Sequence, residues 1–193
     1  MSLSFSKIIL SDFNRKIMYT DQNFPKNKFT FFLKLLIFIM GSKGFRSLFL
    51  YRIFNIKFKS VSKLQPLYYI FRWLSFSVEI PYSTQIGEGF LIGHHDGLVI
   101  NGKSVIGKNV TVQQGVTLGG NMGKVKENRE APLIGDNVFL GAGAKILGPI
   151  KIGDNCIIGA NAVVVKDIPK NSVAVGVPAK VIKKIDKPYK FIN

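Results

Sequence analysis

The chain has 193 residues, of which 47% are hydrophobic, and it carries a formal net charge of +16. This length and composition indicate one globular domain with an appendage and argue against a disordered chain. The only cysteine, Cys156, excludes a disulfide framework within one chain and is consistent with a reducing compartment.

The N-terminal region, residues 1–79, is basic and rich in aromatic residues. Residues 1–80 contain 13 Lys and Arg but 3 Asp and Glu. The first residues lack the apolar stretch and cleavage site of a signal peptide, which favours a cytoplasmic protein. The basic surface of residues 1–79 would attract anionic lipid or a nucleotide-bearing substrate. Nucleic acid is not predicted as a partner, because the chain contains no recognised nucleic-acid-binding motif.

Two apolar blocks in this region, residues 29–40 and 45–54, predict helices. A membrane span needs about 20 consecutive apolar residues, so neither block is long enough to cross a bilayer. The blocks are predicted either to pack as a buried helix pair or to associate peripherally with the inner face of an anionic membrane. Trp73 and the phenylalanines of this region are interpreted as core or interface residues.

From residue 80 onward, aliphatic residues recur every six positions. Twelve repeat starts follow this period between Ile86 and Val164, and the fourth residue after each start is often small or aliphatic. A six-residue period is typical of a parallel β-helix, in which these side chains point inward and stack. Cys156 falls on an inward position and is interpreted as a core residue, not a nucleophile. The pattern predicts a β-helix over residues 80–183 and a tail over residues 184–193.

Two irregularities interrupt the period. Two extra residues lie between the repeat starts Leu98 and Ile106, and the starts Leu118 and Ile134 are 16 residues apart. The second irregularity predicts a protruding loop over residues 119–133, because these residues cannot fit the repeat.

The spacing also predicts that several residues share one edge of the β-helix. His94, Gln114, Ala142 and Ala160 each lie two residues after a repeat start, and a further 18 residues lead to Pro178. If each coil has three sides, these residues lie along one edge.

The region from residue 78 to residue 183 resembles the serine acetyltransferase-like branch of the left-handed β-helix acyltransferases. The matching segments are IGEGFLIGHHDGLVI, NVTVQQGVTLGG, IGDNVFLGAGAKILG, IGANAVVVKDIP and VGVPAKVI. The resemblance implies a mainly β fold, a left-handed parallel β-helix of three-sided coils preceded by an N-terminal helical region. It also implies a homotrimer with active sites between subunits, and acetyl-CoA as the donor. Metal binding is not predicted, because two adjacent histidines match no ordinary ligand spacing.

By this resemblance, His94 is the general base, and the carboxylate of Glu79 orients it. A hydroxyl needs a base when it attacks a thioester, and a carboxylate fixes the imidazole tautomer. His95, Asp96 and Gln114 are predicted to contact the acceptor, although Asp96 could instead close the turn and Glu79 could be a solvated strand-end charge. The predicted donor-binding residues, which include a glycine turn for the oxyanion, are Gly119, Gly120, Ala142, Ala160, Val165, Lys166, Lys180 and Lys183.

Two departures from the serine acetyltransferases direct the prediction of the acceptor. In those enzymes Asp precedes the catalytic His, whereas in this chain Gly93 precedes it. They also have a second His before a Pro of the loop, whereas this chain has Ala131 at that position. The predicted acceptor is therefore a hydroxyl of a bacterial surface glycan (capsule, lipopolysaccharide or exopolysaccharide) or of its nucleotide-sugar precursor. The alternatives are serine O-acetylation for cysteine biosynthesis and, third, a non-catalytic β-helix module.

Overall fold

A computed structural model describes residues 4–20, 23–57, 66–68, 70 and 77–185. Three helices come first: α1 (Phe5–Tyr19), α2 (Lys28–Gly41) and α3 (Lys43–Arg52), the last continued by a π-helical turn, Ile53–Lys57. The N-terminal helices predicted over residues 29–40 and 45–54 are confirmed within a few residues, and α1 is an addition to them. Trp73 and tail residues 186–193 lie outside the described residues.

Fifteen short strands follow in the part of the chain described from residue 78 to residue 184. They are β1 (Val78–Glu79), β2 (Gln85–Ile86), β3 (Leu91–Ile92), β4 (Leu98–Ile100), β5 (Val105–Ile106), β6 (Thr111–Val112), β7 (Thr117–Gly119), β8 (Leu133–Ile134), β9 (Phe139–Leu140), β10 (Lys145–Leu147), β11 (Lys151–Ile152), β12 (Ile157–Ile158), β13 (Val163–Val164), β14 (Ser172–Gly176) and β15 (Ala179–Lys184).

These strands form three sheets around one core. Sheet A contains β1, β4, β7, β10 and β13, sheet B contains β2, β5, β8 and β11, and sheet C contains β3, β6, β9, β12, β14 and β15. All strand pairs are parallel except β14 with β15. Because successive strands enter successive sheets, the chain winds as a three-sided prism, which confirms the predicted parallel β-helix.

The prism is filled by stacked aliphatic side chains. Of the twelve predicted repeat starts, all except the half-buried Ile86 are buried. Burying one such side chain contributes about 1.5–3 kcal/mol relative to leaving it in water. Cys156 belongs to the same stack, and burial raises the pKa of its thiol. Its interpretation as a core residue is confirmed.

Asparagines turn the corner between sheets B and C. Asn109, Asn137, Asn155 and Asn171 have φ values of 55°, 56°, 56° and 58°. Asparagine adopts this left-handed conformation more readily than other residues with a side chain. Each side-chain amide donates to the next along the ladder, at 3.2, 3.2 and 2.9 Å. The corner is therefore built from repeated polar pairs that hold consecutive coils in register.

The shorter irregularity lies in the corner between sheets C and A. Ile92 pairs with Val112, twenty residues later, whereas Val99 pairs with Thr117, eighteen residues later. The first coil therefore has two extra residues between Ile92 and Val99.

This placement corrects the sequence prediction, which locates the two extra residues between Leu98 and Ile106. Strand β4 buries both Leu98 and Ile100, and Ile100 is the residue in register with Leu118. Two inward aliphatic residues on one strand make the repeat start ambiguous in the sequence, and only the strand pairing resolves it.

The last coil is shorter than the others. Ile158 pairs with Ala174, sixteen residues later, so the residue that follows Ala160 along the edge is Gly176. Pro178 lies instead in the turn between β14 and β15, and β15 folds back antiparallel on β14. The prediction that Pro178 shares the edge is wrong, because it assumes eighteen residues for this coil.

The helices join the β-helix through an aromatic cluster and the first coil. The rings of Phe13 (α1), Phe38 (α2) and Phe45 (α3) pack with centroids 5.6–6.2 Å apart. Helix α3 is mostly buried, whereas Phe38 is the one residue of α2 that is buried. The prediction of a buried helix pair therefore fits α3 but not α2.

A buried ion pair fixes α1 and α3 to the first coil. Arg52 Nε donates to Asp12 Oδ2 at 2.8 Å, and both side chains are 1% exposed. Arg52 also donates to the carbonyls of Ile86 and Gly87 at 2.6 and 2.5 Å, and the Phe90 N–H donates to Asp12 Oδ1 at 3.0 Å. The side-chain polar atoms of Asp12 and Arg52 thus have hydrogen-bond partners at the junction between the helices and the first coil.

Candidate active site

The two extra residues of the first coil are His94 and His95. By their backbone hydrogen bonds, Gly93 and Asp96 correspond to the consecutive residues 113–114 of the next coil. The histidines inserted between them have no counterpart there, so this corner is longer than the one beneath it. His94 is exposed and His95 is half-buried. Residues 93–96 are called the histidine corner below.

Two helices pack against the histidine corner. The ring of Tyr19, the last residue of α1, lies edge-on to His94 with centroids 6.4 Å apart. A methyl group on Gly44 of α3 would come within 2.9 Å of the Ile92 side chain and 3.3 Å of His95 Cβ. Glycine at this position therefore allows α3 to approach the corner closely, and both histidines are held from the helical side.

The space beside Gly93 is already filled. A methyl group on Gly93 would come within 2.9 Å of both the Gln113 side-chain amide and the Tyr19 hydroxyl. Gln113 is buried. A side chain as large as aspartate at this position would require both neighbours to move, so Gly93, Gln113 and Tyr19 form a matched set.

Asp96 closes the histidine corner. Its carbonyl accepts from the Gly115 N–H at 2.7 Å, and Gly97 follows with a φ of 71°, so the chain turns here into β4. The Asp96 side chain is 74% exposed, and its Oδ1 lies 3.2 Å from His95 Nε2. That Nε2 atom is buried and has no partner with hydrogen-bond geometry among the residues that the structure describes.

Glu79 lies on the outer face of sheet A. It is opposite Val99 of β4 in the register, and its side chain is exposed whereas that of Val78 is buried. Strand β4 begins one residue after the histidine corner, and Glu79 is on β1, the strand paired with β4. Its role as the carboxylate partner of His94 remains a prediction.

The corners between sheets C and A stack into one edge, called the histidine edge. The Gly143 N–H donates to the Gln114 carbonyl and the Asn161 N–H to the Ala142 carbonyl, both at 2.7 Å, as the Gly115 N–H does to Asp96. Gln114 lies directly below the histidine corner, and the next two positions of the stack, Ala142 and Ala160, carry small side chains. An extended ligand can approach the backbone closely along this edge, which comprises the histidine corner, Gln114, Ala142, Ala160 and Gly176.

Four of the predicted donor-binding residues lie on a different edge. Gly119 is the last residue of β7 and Gly120 follows it, and Val165 and Lys166 follow β13, where sheet A meets sheet B. This loop edge is separated from the histidine edge by the full width of sheet A. The predicted donor-binding residues of a single chain therefore do not all surround one ligand.

The loop that begins at this edge protrudes and is tied back at one point. Residues 120–128 are exposed. Lys126 Nζ donates to Asp167 Oδ2 at 2.5 Å, and the Lys151 N–H donates to Asp167 Oδ1 at 2.8 Å. Partial burial acts to raise the pKa of Asp167, but these hydrogen bonds outweigh it and lower that pKa below its ordinary value. The Asp167 carboxylate is thus kept charged as an anchor for the loop.

A cleft of about 670 Å³ lies between the loop and the coils. Lys124, Lys126 and Lys166 line it together with apolar residues such as Leu147 and Val165. A cleft with an apolar wall and several cations suits a ligand that carries phosphates on an organic skeleton.

The remaining predicted lysines lie on β15. Lys180 pairs with Val175 and is close to the end of the histidine edge, whereas Lys183 pairs with Val173, further across sheet C. Neither lies on the loop edge with Lys166. Within the described ranges, no three His, Cys, Asp or Glu side chains are grouped so that they could hold a metal ion.

Tyr19, Gly44 and Gln113 complete the surroundings of the histidines, and sequence reasoning does not identify them. Gln113 follows a repeat start directly, which resembles an ordinary corner residue. Tyr19 and Gly44 lie far from the histidines in the chain, and no motif connects them to the corner. Their roles depend on how α1 and α3 dock.

Comparison with known proteins identifies the repeat. Residues 131–166 match the family model described as bacterial transferase hexapeptide (six repeats). The serine acetyltransferase of Helicobacter pylori is 44% identical over 147 residues, which cover 73% of this chain and 82% of that protein. The serine acetyltransferase of Mycobacterium tuberculosis is 51% identical over 105 residues, 54% of this chain and 45% of that protein. The chain spans about half the length of several curated relatives that it matches.

Solved structures show the same architecture. The Neisseria gonorrhoeae serine acetyltransferase in complex with serine superposes with a TM-score of 0.73 at 34% identity, over 91% of this chain and 68% of that chain. The serine acetyltransferase of Brucella abortus superposes with a TM-score of 0.74 at 28% identity, over 94% of this chain and 69% of that chain. The left-handed parallel β-helix with N-terminal helices is therefore confirmed.

These comparisons overturn the predicted glycan or nucleotide-sugar acceptor. Relatives that are 40–51% identical to this chain are named serine acetyltransferases. The two departures behind that prediction also have structural explanations. Gln113 and Tyr19 fill the space beside Gly93, and Ala131 is only 2% exposed, so its side chain is not presented to an acceptor.

Proposed function

Because the chain belongs to the serine acetyltransferase family of hexapeptide-repeat transferases, we propose that it transfers the acetyl group of acetyl-CoA to the hydroxyl of L-serine. The observation that carries the proposal is the histidine corner. It places an exposed imidazole at one end of an edge that continues through Ala142, Ala160 and Gly176, in a chain 44% identical to a serine acetyltransferase along most of that protein's length.

His94 acts as the general base in this proposal. Its imidazole takes the proton of the serine hydroxyl as the oxygen attacks the thioester carbonyl. The tetrahedral intermediate then collapses, the carbon–sulfur bond breaks, and the proton passes to the CoA sulfur, which leaves O-acetylserine and free CoA. Glu79 orients the imidazole and stabilises its protonated form. Transfer is direct in a ternary complex, because Cys156 is buried in the core and cannot reach a substrate.

Acetyl-CoA is proposed to lie along the histidine edge. Its pantetheine arm passes Ala142 and Ala160, whose small side chains leave room for an extended chain. Lys180, next to the end of this edge, is placed to meet the phosphates. His95, Asp96 and Gln114 surround the acceptor at the other end.

The proposed active site is shared between subunits of a homotrimer. Support comes from the distribution of the predicted donor-binding residues, most of which are divided between two edges of one prism. A neighbouring copy that brings its loop edge against the histidine edge would add Gly119, Gly120, Val165 and Lys166 to the same ligand. A three-sided prism suits such a ring, since cyclic contacts pair two different edges.

Acceptor choice tests the proposal directly. With acetyl-CoA and L-serine, the protein is expected to release CoA thiol and to form O-acetylserine, detected by mass spectrometry. L-Alanine is the matched control, because it lacks the hydroxyl that is acetylated and should give no thiol release above background. A protein that releases no thiol with L-serine would contradict the proposed acceptor.

Mixed trimers test the shared site. His94→Ala changes the histidine edge and Lys166→Glu changes the loop edge. Each variant is expected to be weakly active as a homotrimer, because every shared site then lacks one of the two residues. After co-refolding, a mixed trimer contains sites with an intact His94 from one chain and an intact Lys166 from another. Recovery of activity above that of either variant is expected. No recovery, in mixtures whose trimers are shown by mass to be mixed, would place both residues on one chain's site.

A further inference from the structure

Helix α2 is apolar on both of its long faces. Its inner face packs on the aromatic cluster of Phe13 and Phe45, through Phe38 and the partly buried Phe31 and Leu35. Its outer face is exposed, and Phe29 and Met40 at its two ends are 76% and 72% exposed. The outer positions follow the three- and four-residue spacing of one helix stripe: Phe29, Phe32, Leu33, Leu36, Ile37 and Met40.

Such a stripe is not an ordinary protein surface. Soluble helices pair one apolar face with one polar face, and a helix that is apolar all round is normally buried or in contact with lipid. Contiguous exposed apolar patches of this kind mark interaction sites. The outer face of α2 therefore requires a partner.

The charges around the stripe identify the class of partner. Exposed Lys26 and Lys28 lie at the N-terminal end of α2, and exposed Lys43 lies just beyond its C-terminal end. Residues 22–78 contain ten Lys and Arg and no Asp or Glu. Two copies meeting through this face would bring like charges together, whereas an anionic bilayer offers both an apolar interior and opposite charge.

We propose that the outer face of α2 docks the protein on the surface of an anionic lipid bilayer. The helix has 14 residues and is about 21 Å long, shorter than the roughly 30 Å hydrocarbon core. None of the helices in the described segments is long and apolar enough to span a membrane. The helix lies in the plane of the interface with its outer stripe below the headgroups and the lysines among them. This surface is independent of the acetyltransferase site.

Vesicle flotation of the complete chain tests the docking surface. The protein is expected to float with vesicles of phosphatidylcholine and phosphatidylserine, to float much less with phosphatidylcholine alone, and to be released by high salt. Absence of flotation with the anionic vesicles would overturn the proposal. Equal flotation with both vesicle types would overturn the role of the lysines.

Matched variants locate the contact on α2. Ile37→Ser is expected to weaken vesicle binding about tenfold, because one large apolar side chain is lost from the bilayer. Ile182→Ser is the control: Ile182 is 64% exposed on β15, at the other end of the molecule, and its substitution should leave binding unchanged. Equal losses from both variants would contradict the assignment.

Lysine variants and the mass of the assembly in solution distinguish membrane docking from contact between two copies. Lys28→Gln is expected to weaken binding to anionic vesicles about fivefold, and Lys28→Arg to preserve it. If the face joins two copies instead, Ile37→Ser will lower the mass of the assembly in solution and leave vesicle binding unchanged. That result would overturn the proposal, while serine acetylation by the same samples reports separately on the proposed function.

Discussion

Substitution of His94 by alanine is expected to lower kcat for the proposed serine acetylation about 10²–10⁴-fold, because the hydroxyl then loses its proposed general base. The KM for acetyl-CoA should change little, since the proposed donor site lies along the edge below the corner. Steady-state thiol release at saturating serine and acetyl-CoA measures both parameters.

The neighbouring histidine supplies the comparison. His95 is half-buried against Gly44, so His95→Ala should cause a smaller loss of kcat. Lys103→Ala, which removes one half of an exposed ion pair with Glu130, should leave kcat unchanged. Unchanged turnover in His94→Ala, together with a large loss in His95→Ala, would transfer the role of base to His95.

Substitution of Asp12 by alanine is expected to lower the free energy of unfolding by about 3–5 kcal/mol, because it leaves the Arg52 guanidinium buried without its carboxylate. Asp12 also accepts from the Phe90 N–H, and this bond is lost too. Urea unfolding at one fixed protein concentration measures the change. A loss below about 1 kcal/mol would show that water or another group replaces the carboxylate.

Two further variants separate the buried charge from its surroundings. The double variant Asp12→Leu with Arg52→Met removes both charges and is expected to lose less stability than Asp12→Ala. Glu130→Ala breaks an ion pair whose side chains are 63% and 52% exposed, and such pairs contribute less than about 1 kcal/mol. Because the Asp12–Arg52 pair docks α1 and α3, Asp12→Ala should also lower kcat through Tyr19 and Gly44.

The β-helix could be predicted from the chain because its stabilising unit is six residues long. Each strand and corner is encoded by a local pattern of an aliphatic residue, a glycine and a turn residue. Stacking repeats that pattern, so local and global order coincide. The inward position of Cys156 and the existence of the long loop follow from the same repetition.

Position across coils was less predictable. The sequence misplaces the two extra residues because Leu98 and Ile100 both fit the inward pattern, and it extends the edge to Pro178 because it assumes a constant coil length. Residue counting carries each error forward along the chain, whereas hydrogen bonds between coils fix the register pair by pair.

The amino-acid sequence thus determined the repeat, the fold and the two histidines, since all of these are written in contiguous residues. Folding in three dimensions assigned the histidines to an enlarged corner, filled the space beside Gly93 with Gln113 and Tyr19, and divided most of the predicted donor-binding residues between two edges. It also turned one apolar face of α2 inward and left the other exposed. These features depend on contacts between residues far apart in the chain, and periodicity carries no information about which distant surfaces meet.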